Sequence, residues 1–144
     1  MSSIREQILE RVFTLLAGAT PAGGNVFRSR EVSITRAVTP SIVLMPQTDP
    51  VERMGQFTDH HRLEFSLEIF VRGDPWDQLA DPVWVAAHAL LMSDAILGTL
   101  VADIRHLGCE FEGQEADRTA GTLTASYQAI YLTNAADVSV GPKP

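Results

Sequence analysis

Two adjacent histidines, His60 and His61, are the most conspicuous candidates for chemistry in this chain. They open an alternating stretch, and neighbours on a strand point to opposite faces, so the two rings cannot readily close on one ion. No further histidine lies three or four residues away, and Cys109 is the chain's one cysteine, so the spacing of a zinc site is missing. His88 falls within a helical pattern, where it is expected to be partly exposed. His106 is expected to face away from Leu107 and Cys109. Cys109 lies on the apolar register and reads as a core thiol rather than a nucleophile.

The carboxylates give a weaker case still. Glu110 and Glu112 share a strand face about 6.6 Å apart at about 3.3 Å per residue. That is near the lower end of the roughly 6.5–9.5 Å used by inverting glycosidases, but the neighbouring residues describe a surface edge rather than a cleft. Glu64 and Glu68 stand about 13 Å apart by the same rise, beyond the roughly 8 Å screening length at physiological salt. They read as members of an exposed sheet face, paired with Arg62, Arg72 or cross-strand neighbours. Gly23-Gly24 lacks the Lys-Ser/Thr of a phosphate-binding loop, and no serine sits in a nucleophile-elbow pattern. The expectation is a protein that is not an enzyme, with no catalytic residue, cofactor or metal.

The elements that would position these residues follow from periodicity. In Arg62-Leu-Glu-Phe-Ser-Leu-Glu-Ile-Phe-Val-Arg72, apolar side chains recur at every second residue, Leu63 to Val71. This predicts a strand over about 61–72, long against the usual 5–6 residues or so. A strand of that length is either central or projects to pair with something else. Ser3 with Glu6 forms a capping box ahead of Ile4, Ile8, Leu9, Val12, Leu15 and Leu16, which predicts a helix over 3–17. Residues 26–39 alternate weakly and carry Arg28, Arg30 and Arg36. Ile42–Met45, bounded by Pro40 and Pro46, reads as a short buried strand. Residues 46–59 read as a polar loop or an irregular hairpin. Asp74 as cap and Pro75 in the first turn predict a helix, which Pro82 either kinks or restarts. Ala95–Val101 is a short apolar patch. Strands follow at 106–112 and 120–133, the second with Leu123, Ala125, Tyr127, Ala129 and Tyr131 on one face. Phe70, Ile130 and Leu132 interrupt the polar faces of the two long strands, where a helix or a neighbouring subunit would cover them. Residues 134–144, small and polar, read as a disordered tail.

The expected fold is therefore α+β: a largely antiparallel or mixed sheet of about four to five strands with two main helices packed on one face, in one domain over 1–133. With 144 residues the chain can build its own core without a metal or disulfide staple. Its net charge of −7 argues against recognition of nucleic acid through phosphate contacts or of an anionic membrane. It is compatible with a passage through which DNA slides without sticking. No start resembling a signal peptide and no membrane-length apolar run are present in the sequence.

The order of these elements carries a resemblance. The opening helix Ile4–Leu16 is followed by Pro40-Ser-Ile-Val-Leu-Met45, a long loop, and the strand Leu63–Val71. Gly73-Asp-Pro-Trp76 then leads into a helix, followed by Leu97-Gly-Thr-Leu-Val-Ala-Asp103. The chain closes with Phe111-Glu-Gly-Gln-Glu-Ala-Asp117 and Leu123-Thr-Ala-Ser-Tyr-Gln-Ala-Ile-Tyr-Leu-Thr133. In this it resembles the tail terminator proteins of long-tailed bacteriophages, the minor tail protein U type, including prophage copies. The resemblance implies a structural virion protein. It would form a ring, usually of six subunits, on the last ring of tail-tube protein, stop polymerisation, and present the surface that joins the head-completion protein. DNA would pass through, and the protein would reside in the virion tail after assembly in the host cytoplasm. A head–tail connector or neck protein of similar build is an alternative, and a small-molecule-binding domain or enzyme a second. A closed ring joins two different edges of each subunit. The basic cluster Arg28, Arg30 and Arg36 and the acidic segment Glu110, Glu112, Glu115 and Asp117 are the expected pair of facing surfaces. Glu64 and Glu68 would line the lumen or an exposed sheet face.

Overall fold

The computed structural model describes residues 1–29, 39–114 and 117–142. Ser3 caps the helix, its Oγ accepting the Glu6 N–H at 3.1 Å, while the Glu6 carboxylate, the other half of a capping box, is held by Arg28; helix α1 runs Ile4–Leu16, burying Ile4, Ile8, Leu9, Val12 and Leu16. Strands β1 (Val26–Arg28), β2 (Ser41–Thr48), β3 (Val51–Met54) and β4 (Thr58–Arg72) follow. Helix α2 (Trp76–Ser93) and the short helix α3 (Ala95–Leu100) then lead to β5 (Asp103–Gln114) and β6 (Asp117–Asn134).

Among the described residues the strands form one six-stranded sheet ordered β1-β2-β4-β6-β5, with β3 beside β4. The β1–β2 pair is parallel and the rest are antiparallel. The fold is α+β. β4 is central, pairing with β6 along its whole length from Thr58–Asn134 to Arg72–Ala120. Leu63, Phe65, Leu67, Ile69 and Val71 of β4 and Leu123, Ala125, Tyr127, Ala129 and Tyr131 of β6 form one buried face. The same core cluster takes in the buried side chains of α1, α2 and α3, so the helices cover this face.

Several boundaries differ from the sequence expectation. Residues 46–59 are the hairpin rather than the loop: β2 continues to Thr48, and β3 pairs back on β4 from Val51–His61 to Met54–Thr58. This raises the strand count above four to five. The cap of α2 is Pro75, with no side-chain hydrogen bond, rather than Asp74, which stands one residue too early. Pro82 neither restarts the helix nor ends it. Ala80, Val83, Ala87 and Leu91 keep a continuous buried stripe across it, and that burial outweighs the roughly 3 kcal/mol of an interior proline. The segment expected as a disordered tail from Asn134 turns back on the domain: Asn134 N–H donates to Val140 O at 3.1 Å, Ala135 N–H to Phe57 O at 2.8 Å, and Ile4 N–H to Val138 O at 2.8 Å. The last of these satisfies a backbone donor in the first turn of α1, which has no partner inside the helix.

Candidate functional site

His106, expected to face away from Cys109, is placed by a backbone irregularity. In β5 the pairing with β6 slips between His106 and Gly108, leaving Leu107 as an extra residue. Such a bulge reverses the facing of everything beyond it. His106 and Cys109 therefore meet on the helix-covered face, with His106 Nε2 3.5 Å from Cys109 Sγ, while Leu107 is 49% exposed. This corrects the expectation that His106 points away from Cys109. The α2 side chains complete a cluster: Trp84 Nε1–H donates to Tyr127 Oη at 3.2 Å, and Tyr127 Oη lies 2.8 Å from His88 Nδ1. The His88 and His106 ring centroids are 5.4 Å apart. Burial pushes the Tyr127 hydroxyl up to about 12, despite the Trp84 hydrogen bond acting against it. Burial first, and the nearby His106 second, hold His88 below its ordinary value. Burial raises the Cys109 thiol, so the thiolate required of a nucleophile is disfavoured.

His61 is buried, not the surface residue expected of a pair at the start of a strand. Its Nδ1 lies 3.3 Å from Asp49 Oδ2 and its Nε2 2.9 Å from Thr133 Oγ1, and its ring stacks on Tyr131 at 4.3 Å. Tyr131 Oη also donates to Asp49, and Arg5 reaches the same carboxylate at 3.3 Å. Carboxylate, imidazole and hydroxyl thus stand in the order of a catalytic triad. Thr133, however, is 0% exposed, so its hydroxyl meets no substrate. The network joins α1, the β2–β3 turn, β4 and β6. Asp49 and Thr133 went unnoticed in the sequence because 12 and 72 residues separate them from His61. Among the described residues, no group of three or more His, Cys, Asp and Glu is placed to hold a metal ion.

A cleft of about 420 Å³ lies between the start of α1 and the end of β2, lined by Arg5, Glu6, Leu9, Arg28, Asp49 and Leu63 among others. Its charges are already matched. Arg28 grips Glu6 through two hydrogen bonds of 2.7 and 3.0 Å, and Arg5 pairs with Asp49. The Arg28 hydrogen bond holds the Glu6 carboxyl below its ordinary value. Arg28, expected at a subunit boundary, therefore has its partner within the chain. Arg30, Arg36 and Glu115 lie outside the described residues, and Asp117 stands at the start of β6 opposite Gln114.

The remaining expected residues come together. Paired residues in an antiparallel sheet share a face. In one row across the sheet Glu68 stands beside Thr124 and Thr124 beside Glu110; in the next, Phe70, Thr122 and Glu112 align. Glu64 stands beside Gln128, and Ser66 beside Ser126. Glu64, Glu68, Glu110 and Glu112, expected on two different surfaces, thus occupy one face, the one turned away from the helix-covered core. Arg62 and Arg72 stand near the ends of the same register of β4. Glu110 and Glu112 are exposed at its margin, whereas Glu68 is half-buried and its carboxyl is raised by desolvation. Phe70, Ile130 and Leu132, also on this face, are half-buried.

Comparison with known protein families and with curated proteins finds no match to the sequence. Comparison with solved structures finds a similar fold in a chain of the virion of native gene transfer agent particle, at a TM-score of 0.51 and 12% identity. The match covers 90% of this chain and 92% of that one.

Proposed function

We propose that this protein is a structural component of a phage or phage-like virion and that it acts as a tail terminator: a ring that caps the tail tube, stops its growth and offers the surface to which the head is joined. The observation that carries the reading is the near end-to-end likeness of its fold to a virion chain, in agreement with the element order that resembles tail terminators. The reading is non-catalytic: the triad-like arrangement around His61 buries its hydroxyl, and the charges lining the cleft beside α1 are paired with one another.

The acidic face supplies a physical role. Turned toward the channel of a ring, Glu64, Glu68, Glu110 and Glu112 would repel the DNA backbone, so that DNA passes without being held. Thr122, Thr124, Ser126 and Gln128 keep that face wettable. Sedimentation of the purified protein, alone and with tail-tube protein, tests the proposal. A discrete ring-sized species, formed alone or on the tube, is the expected result. A monomer that ignores the tube would refute it.

A further inference from the structure

Among the described residues β5 pairs only with β6, so its outer edge is open, and the N–H and C=O of every second residue turn away from the sheet. Beyond the bulge at Leu107 the pairing is regular from Gly108 to Gly113. The two faces of this stretch ask for different chemistry. Phe111, beside Leu123 on the helix-covered face, is 64% exposed. On the other face Glu110 and Glu112 are exposed, and Glu110 lines a hollow of about 350 Å³ with Leu107, Gly108, Cys109 and Ser126. Alternate residues of a strand added to this edge would fall on the two faces in turn. Those beside Glu110 and Glu112 would need to be cationic, because like charges side by side in a sheet are destabilising. Those between them would need to be apolar, to cover Phe111.

The described strands of this chain offer no such partner. A second β5 would set carboxylate against carboxylate. At the opposite margin of the sheet β1 has 3 residues, and its Arg28 is held by Glu6. Met45-Pro-Gln-Thr48 of β2 is uncharged. β3 carries Glu52 beside His60, in the register of Glu64 and Glu68, so it would bring a further carboxylate to the acidic face, and its Arg53 is held by Asp59. We propose that the outer edge of β5, from Gly108 to Gly113, is a docking strand for a different protein, which adds an extended segment of lysine or arginine alternating with apolar residues. The open backbone supplies the hydrogen bonds, Glu110 and Glu112 select the charge, and Phe111 fixes which residues of the segment are apolar. The contact is separate from those that would close a ring and leaves them to other surfaces.

The probe is a short labelled peptide of alternating lysine and valine, its binding followed by fluorescence anisotropy. The wild type binds it, and hydrogen exchange slows at the β5 amides between Gly108 and Gly113. A peptide of alternating glutamate and valine does not bind, and one with the same lysines and valines gathered into two blocks binds more weakly. Glu110→Lys with Glu112→Lys weakens binding about tenfold, and Phe111→Ser weakens it without a change of charge. Glu52→Lys with Glu64→Lys, the same change in net charge away from β5, leaves it as it was. Circular dichroism shows that each variant compared is folded. A wild type that does not bind the alternating peptide overturns the proposal. Equal losses from the two double reversals, or protection that appears away from β5, reduce the binding to general charge attraction and overturn it too. So does self-association of the wild type that Glu110→Lys with Glu112→Lys abolishes, because a second copy would then occupy the edge.

Discussion

Gly121 shows how one absent side chain shapes the end of the core. It stands between Val71 and Gly113 on neighbouring strands, and the Trp76 indole lies where its Cβ would be. Gly121→Ala is expected to cost about 1–3 kcal/mol, the range for overpacking a filled site. That corresponds to a fall in Tm of roughly 2–4 °C per kcal/mol for a chain near this size. The cost should shrink in a Trp76→Ala background; equal costs in the two backgrounds, by thermal denaturation, would refute the contact. A second residue-scale prediction concerns acid. His88 titrates below its ordinary 6.5 in the folded protein, so the unfolded chain binds its proton more readily. The stability tied to neutral His88 is present above the ordinary value and is lost as pH falls through it toward the folded value. His88→Gln should flatten this part of the stability profile between about pH 7.5 and 5; an unchanged slope would contradict it. Neither feature is legible in sequence. Glycine at position 121 reads as a weak point in a strand until the tryptophan from another element is seen upon it. The partners of His61 and Arg28 are equally remote in the chain.

At the scale of elements, what periodicity reports was legible and what tertiary pairing decides was not. The 13-residue α1 and the central β4 were readable because each repeats one pattern over several turns or pleats. β3 was not, since all four of its residues are exposed and carry no alternation to detect. The bulge at Leu107 was invisible because it reassigns faces without altering composition, and it moved His106 from the wrong side to the right one. α3 has six residues, too few to show a helical period. It is held instead by Asp94, which accepts the Leu97 N–H at 2.7 Å and two bonds from Arg11 of α1 at 2.8 and 2.9 Å. Asp94→Ala removes both; loss of the cap alone is worth about 1 kcal/mol. Asp94→Asn keeps an oxygen for the cap but gives up the ion pair, so it should be the milder change in urea denaturation. Equal losses would mean the cap contributes nothing. The Arg11 hydrogen bond holds the Asp94 carboxyl below its ordinary 3.8. Its contribution is therefore present above that value and is lost as pH falls through the folded one.

For the whole molecule, the sheet separates two tasks. Its helix-covered face holds the fold together, with both histidine clusters absorbed into that work. The other face gathers four glutamates and ends in a long acidic edge. Charge composition alone implied a chain that does not grip DNA, but only the register of β4, β6 and β5 shows where those carboxylates sit relative to one another. In the ring proposed above, the helix-covered face would serve stability and the acidic face would line the channel. The most direct measurement is to add the protein to growing tail tubes and image them by electron microscopy. The account predicts added density at one end of each tube and arrested elongation in proportion to the protein supplied. Tubes that keep growing at the same rate, with bare ends, would contradict it.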